Sequence, residues 1–234
     1  MRWNRAPASL VQHTGPGTLP THSPGPHAHS IDVSPDNRFA VASDVGLNRL
    51  LVYRFDPETG VLTPQDPPSV SIDPADAGPR HFTFAPNGKF GYVLSEMSGI
   101  VTAFTWDAAT GRLRQIQSIK SLPLNFAGRN NSGEIAVHPN GRFLYSSNRG
   151  PDDIAVFAID PAAGTLTQIQ RESTRGIMPR HFAVDPTGKY LLAANQATDS
   201  VVLLQLDPDT GRLAATRTAI RVETPVCVVF VPAG

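Results

Sequence analysis

SPDNRF (34–39), APNGKF (85–90), HPNGRF (138–143) and DPTGKY (185–190) are four versions of one turn, with prolines at 35, 86, 139 and 186 and hence intervals of 51, 53 and 47 residues. A second landmark keeps the same step: the Asp-to-Gly turns DPETG, DAATG, DPAAG and DPDTG begin at Asp56, Asp107, Asp160 and Asp207. Two independent landmarks moving together mean that whole units repeat. Between them lie apolar runs such as FAVAS, LLVYRF, IVTAFTW, IAVFAI and VVLLQL, which suit half-buried or fully buried strands, and no segment carries a helical period. Several short strands in a period of roughly 40 to 50 residues are the mark of propeller blades. The predicted fold is therefore all-β: an irregular arm over 1–29 and a partial β-propeller over 30–234. LVQHTG (10–15) reads as the outer strand of a preceding blade, PVCVVFVP (225–232) as a fifth first strand, and 65–78 and 120–133 as the longer joins between blades.

Composition narrows the partners. Lys+Arg 20 against Asp+Glu 20 leaves no net charge, so neither a nucleic-acid footprint nor a polybasic membrane patch is indicated, and a substrate must be recognised by a local cluster. The opening MRWNRAPASL lacks the apolar stretch of a signal peptide and no run approaches a membrane span, so a soluble cytoplasmic protein is expected. The single cysteine, Cys227, excludes an internal disulfide and reads as a small core residue rather than a nucleophile. Without GxSxG, GxxxxGK or GxGxxG, serine-hydrolase and nucleotide chemistry have no support.

In antiparallel blades the turns alternate between two faces. The face with the two landmarks holds only turn chemistry. The other face collects residues that no turn requires: PHAHS (26–30), GPRH (78–81), SEMSG (95–99), SNRG (147–150), MPRH (178–181) and NQATD (195–199). Arg80, Arg149 and Arg180 meet there with His29, His81 and Glu96. Three guanidiniums make a planar, bidentate receptor for phosphate or carboxylate, and one carboxylate among them is the natural base. The competing reading has each arginine stapling one blade to the next through local carbonyls, with Glu96 as a salt-bridge partner. His27 and His29 lie two apart on an extended segment and could share a metal, but spacing marks no third ligand. His138 stands where its siblings have Ser, Ala and Asp, which argues for turn chemistry, while His13 and His22 sit in the arm and carry no signal.

At GPRHFTFAPNGKFGYVLSE, NNSGEIAVHPNGRFLYSSNRG and MPRHFAVDPTGKYLLAANQ, the chain resembles the lactonase family of seven-bladed propellers, which includes 6-phosphogluconolactonases and carboxymuconate lactonising enzymes. The resemblance implies a catalytic set of His29, Arg80, Glu96 and Arg149, with His81, Asn148, Arg180 and Gln196 lining the same mouth, and neither metal nor cofactor. It implies hydrolysis of a sugar lactone bearing an anionic group, with Glu96 activating water; carboxymuconate cyclisation or a binding propeller is the alternative. Against seven blades, the chain carries about four and one closing strand. The expectation is thus an open or incomplete ring whose flanks are covered by self-association or by a chain supplying the missing blades.

Overall fold

The computed structural model describes residues 7–19 and 25–231. They form four four-stranded antiparallel sheets, each with its strands in chain order. Blade one holds β1 (Ala28–Val33), β2 (Phe39–Asp44), β3 (Arg49–Phe55) and β4 (Leu62–Ser71). Blade two holds β5 (Pro79–Phe84), β6 (Phe90–Ser95), β7 (Ile100–Asp107) and β8 (Arg112–Lys120). In blade three are β9 (Ser132–Val137), β10 (Phe143–Asn148), β11 (Asp153–Ile159) and β12 (Leu166–Ser173). Blade four comprises β13 (Pro179–Val184), β14 (Tyr190–Asn195), β15 (Ser200–Leu206) and β16 (Leu213–Arg221). A short 3₁₀ turn, Gln196–Thr198, is the one helical element among the described residues.

Period-two alternation sends apolar side chains to both faces of each sheet, and neighbouring blades bury them against one another. Phe39, Val41 and Val52 of blade one meet Phe82, Val93 and Phe104 of blade two. Tyr92, Leu94 and Ala103 meet Ile135, Leu144 and Phe157 across the second junction. The third joins Tyr145, Ile154 and Val156 to Phe182, Leu191 and Leu204.

The junctions explain why the two landmarks move in step. The aromatic closing each of the first three proline turns lies on the glycine of the next blade's Asp turn. A Cβ on Gly111 would stand 2.4 Å from Phe39, one on Gly164 2.2 Å from Phe90, and one on Gly211 2.3 Å from Phe143. These glycines also have φ of +69° to +71°, where a side chain is strained in any case. The Tyr92 and Tyr145 hydroxyls donate to the carbonyls of Gly164 and Gly211 at 3.1 and 3.0 Å. Both landmarks are thus halves of one interblade contact. His138 belongs to the same layer: its Nδ1 accepts from the Asn140 amide, so its Nε2–H donates to the Gly188 carbonyl at 2.9 Å.

Three sequence expectations need correction. Residues 10–15 are not a strand; they lie against blade one, where His13 Nδ1 meets Asp44 Oδ2 at 2.6 Å and its Nε2 meets the Tyr53 hydroxyl at 2.8 Å. His13 is therefore anchored, while His22 lies outside the described residues. Residues 225–231 carry no strand, because no described strand offers them a ladder partner, and Pro232 is outside the described residues. The first long join is shorter than its composition indicated, since β4 runs through its prolines to Ser71.

Candidate functional site

The first strand of every blade breaks its register at the same place. Ala28 and Ser30 pair with Asp44 and Ser43, leaving His29 as an extra residue. Pro79 and His81 pair with Ser95 and Leu94, leaving Arg80, and Pro179 and His181 pair with Asn195 and Ala194, leaving Arg180. β9 shifts register at Gly133 and Glu134. A bulge of one residue cancels the strict alternation of side chains, so two consecutive residues can serve one side. His29, Arg80, His81, Arg180, His181 and Gln196 accordingly line one cavity of about 500 Å³. A second cavity, about 550 Å³, continues between the four first strands past Asp32 and Glu134.

Behind Arg80 stands an alternating chain of charge. Glu96, the residue after β6, receives Arg149 Nη2 at 2.7 Å on one oxygen and has Arg80 Nε at 3.3 Å from the other. Arg80 is 2% exposed and donates through Nη1 to the Gly133 carbonyl at 2.6 Å. The Arg80 Nε–H is too poorly aligned with Glu96 to count as a hydrogen bond, so it is a buried donor without a proper acceptor. Burial, and then the neighbouring Arg149 charge, push the Arg80 guanidinium down to about 10, still cationic at neutral pH. Arg149 also donates to the carbonyls of Asn131 and Ser132 at 2.8 and 3.1 Å and staples blade two to blade three. Burial lowers its pKa as well. The Arg180 side chain makes no hydrogen bond or ion pair among the described residues, yet its charge reaches His29, Arg80 and Arg149.

The centre of the mouth is a carboxylate held by two histidines. Glu134 Oε1 lies 2.7 Å from His81 Nδ1, and Oε2 lies 2.9 Å from His181 Nε2. Glu134 is 8% exposed. Burial works against its charge, but the hydrogen bonds from His181 and His81 outweigh that and hold its pKa at about 2. His29 stacks obliquely on His81, ring centroids 5.0 Å apart. Burial among its neighbours, and then the Arg80 charge, lower the His29 pKa to about 4, which favours the neutral imidazole.

Five of the eight sequence-predicted site residues, His29, Arg80, His81, Arg180 and Gln196, line the cavity. Glu96 and Arg149 form its backing, with side chains 15% and 6% exposed. Asn148 stands apart: fully buried, it donates to the Ser121 carbonyl and Asp153 and accepts from the Ser121 and Ser132 hydroxyls, leaving its amide no free valence. Cys227 is not in a core; it is exposed at the cavity rim, 3.8 Å from His181 Nε2. That nitrogen already serves Glu134, so the thiol has no base. Among the described residues no group of three His, Cys, Asp or Glu could hold a metal ion, and no helix is long and apolar enough to cross a membrane. Glu134 was not singled out from the sequence, and His181 was gathered to this face with MPRH but given no role. Register would have found them: each stands five residues before its turn proline, as do Ser30 and His81.

The four repeated sheets and the charged mouth where their bulged first strands meet define a lactonase-type propeller. The sequence matches the family described as lactonase, 7-bladed beta-propeller, over residues 4–230, and the chain belongs to that family. It is similar to the 6-phosphogluconolactonase of Bacillus subtilis (strain 168), 38% identical over 226 residues, which cover 97% of this chain and 63% of that protein. Among solved structures it is similar to the periplasmic gluconolactonase of Pseudomonas aeruginosa, with a TM-score of 0.85, 36% identity, and 94% of this chain and 61% of that one covered. A protein from Lactobacillus plantarum superposes with a TM-score of 0.88 at 35% identity, over 95% of this chain and 63% of the other. The chain thus spans under two thirds of the length of these relatives.

Proposed function

We propose that this chain hydrolyses a sugar lactone carrying an anionic group, as a 6-phosphogluconolactonase does. The observation that carries the reading is the charge balance of the mouth. Arg80, Arg149 and Arg180 face Glu96 and Glu134, and Arg180, the guanidinium without a carboxylate of its own, opens onto a cavity sized for a sugar phosphate. A half-buried cation without a carboxylate partner is available to an anionic ligand. Arg180 is the anchor for the phosphate, its planar fork matching two phosphate oxygens, with Gln196 beside it. Arg80, which lines the cavity and stays cationic, is the charge that stabilises the oxyanion formed when water adds to the lactone carbonyl. His29, neutral and adjacent, helps to bound that position. Glu96 is the counter-ion that aims Arg80 and Arg149. A phosphorylated sugar does not cross a bilayer unaided, so the cytoplasm is where such a substrate would be met.

The test is hydrolysis of 6-phosphoglucono-δ-lactone, followed by acid release in weak buffer. The chain is expected to accelerate ring opening well beyond the spontaneous rate. Arg180→Gln should raise KM for the phosphorylated lactone about 100-fold, while KM for unphosphorylated glucono-δ-lactone hardly changes, since a charge-assisted bidentate contact contributes about 2–3 kcal/mol. No acceleration by the unaltered chain would overturn the proposal.

A further inference from the structure

We infer that His81, oriented by Glu134, is the general base of this site, and that Glu96 is not. The inference rests on the lactone-hydrolase reading. Glu96 stands behind the residues that line the cavity, accepts from Arg149 Nη2 at 2.7 Å and lies 3.3 Å from Arg80 Nε, so taking a proton from water would neutralise the counter-ion that aligns both guanidiniums. His81 has the opposite geometry. An ionised carboxylate can only accept, so the 2.7 Å contact to Glu134 fixes the proton on His81 Nδ1. The lone pair then sits on Nε2, which makes no hydrogen bond among the described residues, and the ring lines the cavity between Arg80 and Arg180. A carboxylate that fixes tautomer and direction on one imidazole nitrogen while the other faces the substrate is the arrangement general-base histidines need.

His181 cannot take the same part. Its Nδ1 accepts the Val228 amide at 3.3 Å and its Nε2–H is bound to Glu134, so both ring nitrogens are engaged and it is a strut that holds the carboxylate from the far side. Glu134 is further tied through its amide to the Ser147 hydroxyl and through Oε1 to the Ile135 amide, both at 2.9 Å. The bulge at Arg80 makes the arrangement possible: donor and base are consecutive residues, yet both reach the same cavity. The charged and titratable groups around His81 are His29 and Asp32 from β1, Arg80 beside it, Glu96 after β6, Glu134 on β9, Arg180 and His181 on β13, and Cys227 at the rim.

The chemistry balances without a cofactor. His81 Nε2 takes a proton from water as the water oxygen bonds to the lactone carbonyl carbon, and the carbonyl oxygen becomes an oxyanion facing Arg80. Collapse breaks the ring C–O bond, and the proton passes from His81 to the departing alkoxide. The product acid then releases one proton to solvent.

Two measurements decide the matter. Nitrogen-15 NMR of the free chain reads histidine tautomers without substrate: the neutral His81 ring is expected to carry its proton on Nδ1, and an Nε2–H tautomer would overturn the inference. In kinetics, His81→Gln should lower kcat at least about 100-fold with KM within a few-fold. His81→Ala should regain rate with added imidazole, which a purely structural histidine would not show. Glu134→Gln, acting through His81, should lower kcat about tenfold. If the unaltered chain hydrolyses the lactone and His81→Gln retains full kcat, the base is elsewhere while the lactonase reading stands. If the unaltered chain does nothing, both fall.

Discussion

The two faces of this propeller follow different rules. On the turn face every unusual residue has a steric reason. Gly111, Gly164 and Gly211 combine positive φ with an aromatic ring where a Cβ would go, and Asn37, Gly88, Gly141 and Gly188 hold the matching positive-φ place in the proline turns. The same answer recurs at all three junctions because each joins two blades in the same way. On the mouth face equivalent positions diverge: His29, Arg80, Gly133 and Arg180 share one place, Ser30, His81, Glu134 and His181 the next. Repetition there supplies four copies of a bulged platform, and substitution makes one asymmetric site of them. Where the scaffold needs a residue the repeats agree; where chemistry needs one they differ.

A pair of alanine substitutions sets the strongest test of the turn-face rule. Gly164 and Gly88 have nearly the same φ, +71° and +66°, but Gly164 faces Phe90 while nothing lies within 4 Å of Gly88. Gly88→Ala should cost only the backbone strain, about 1 kcal/mol. Gly164→Ala adds displacement of a core ring and should cost about 4 kcal/mol. Urea unfolding of both variants measures the difference. Equal losses would show that φ alone selects these glycines and that the interblade contact does not link the two landmarks.

Next in size is Glu96→Gln, which probes the mouth. The amide keeps the shape but removes the charge between two buried guanidiniums, so Arg80 loses its aim. Activity should fall about 100-fold, comparable to losing an oxyanion donor, and the unfolding midpoint should drop as well because Arg80 and Arg149 lose their counter-ion. A residue acting only as a base would lower the rate with no cost in stability, so measuring kcat and the midpoint on the same protein separates the two roles.

How much was legible follows the same division. The blades and their strands could be read because turn glycines, prolines and alternating apolar residues are local requirements that cannot move. Most of the mouth could be read because Arg80, Arg149 and Arg180 serve no turn. The bulges could not, since inserting one residue into a ladder leaves no fixed signature; without them Glu134 is one more polar residue in a strand, and its bridge to His81 and His181 is invisible. Residues 225–231 misled for a related reason: an apolar run predicts a strand only where a neighbour offers hydrogen bonds.

The smallest effect lies where the two regimes meet, at Asp32 on β1, which lines the axial cavity below the mouth. Burial, and then the charge of Glu134, push its carboxyl up to about 7. An acid whose folded pKa exceeds its unfolded value of about 4 binds protons more tightly when folded, so its contribution is most favourable below pH ~4 and is lost as pH rises toward 7. Asp32→Asn keeps the shape without the charge. The variant should match the unaltered chain near pH 4 and exceed it at pH 8, by about 1–2 kcal/mol once partial exposure is allowed for. Unfolding midpoints at both pH values give the difference directly. A variant equally stable or less stable at pH 8 would mean that Asp32 is satisfied as an anion, and that the negative charge of Glu134 is contained within its two histidines and does not reach down the channel.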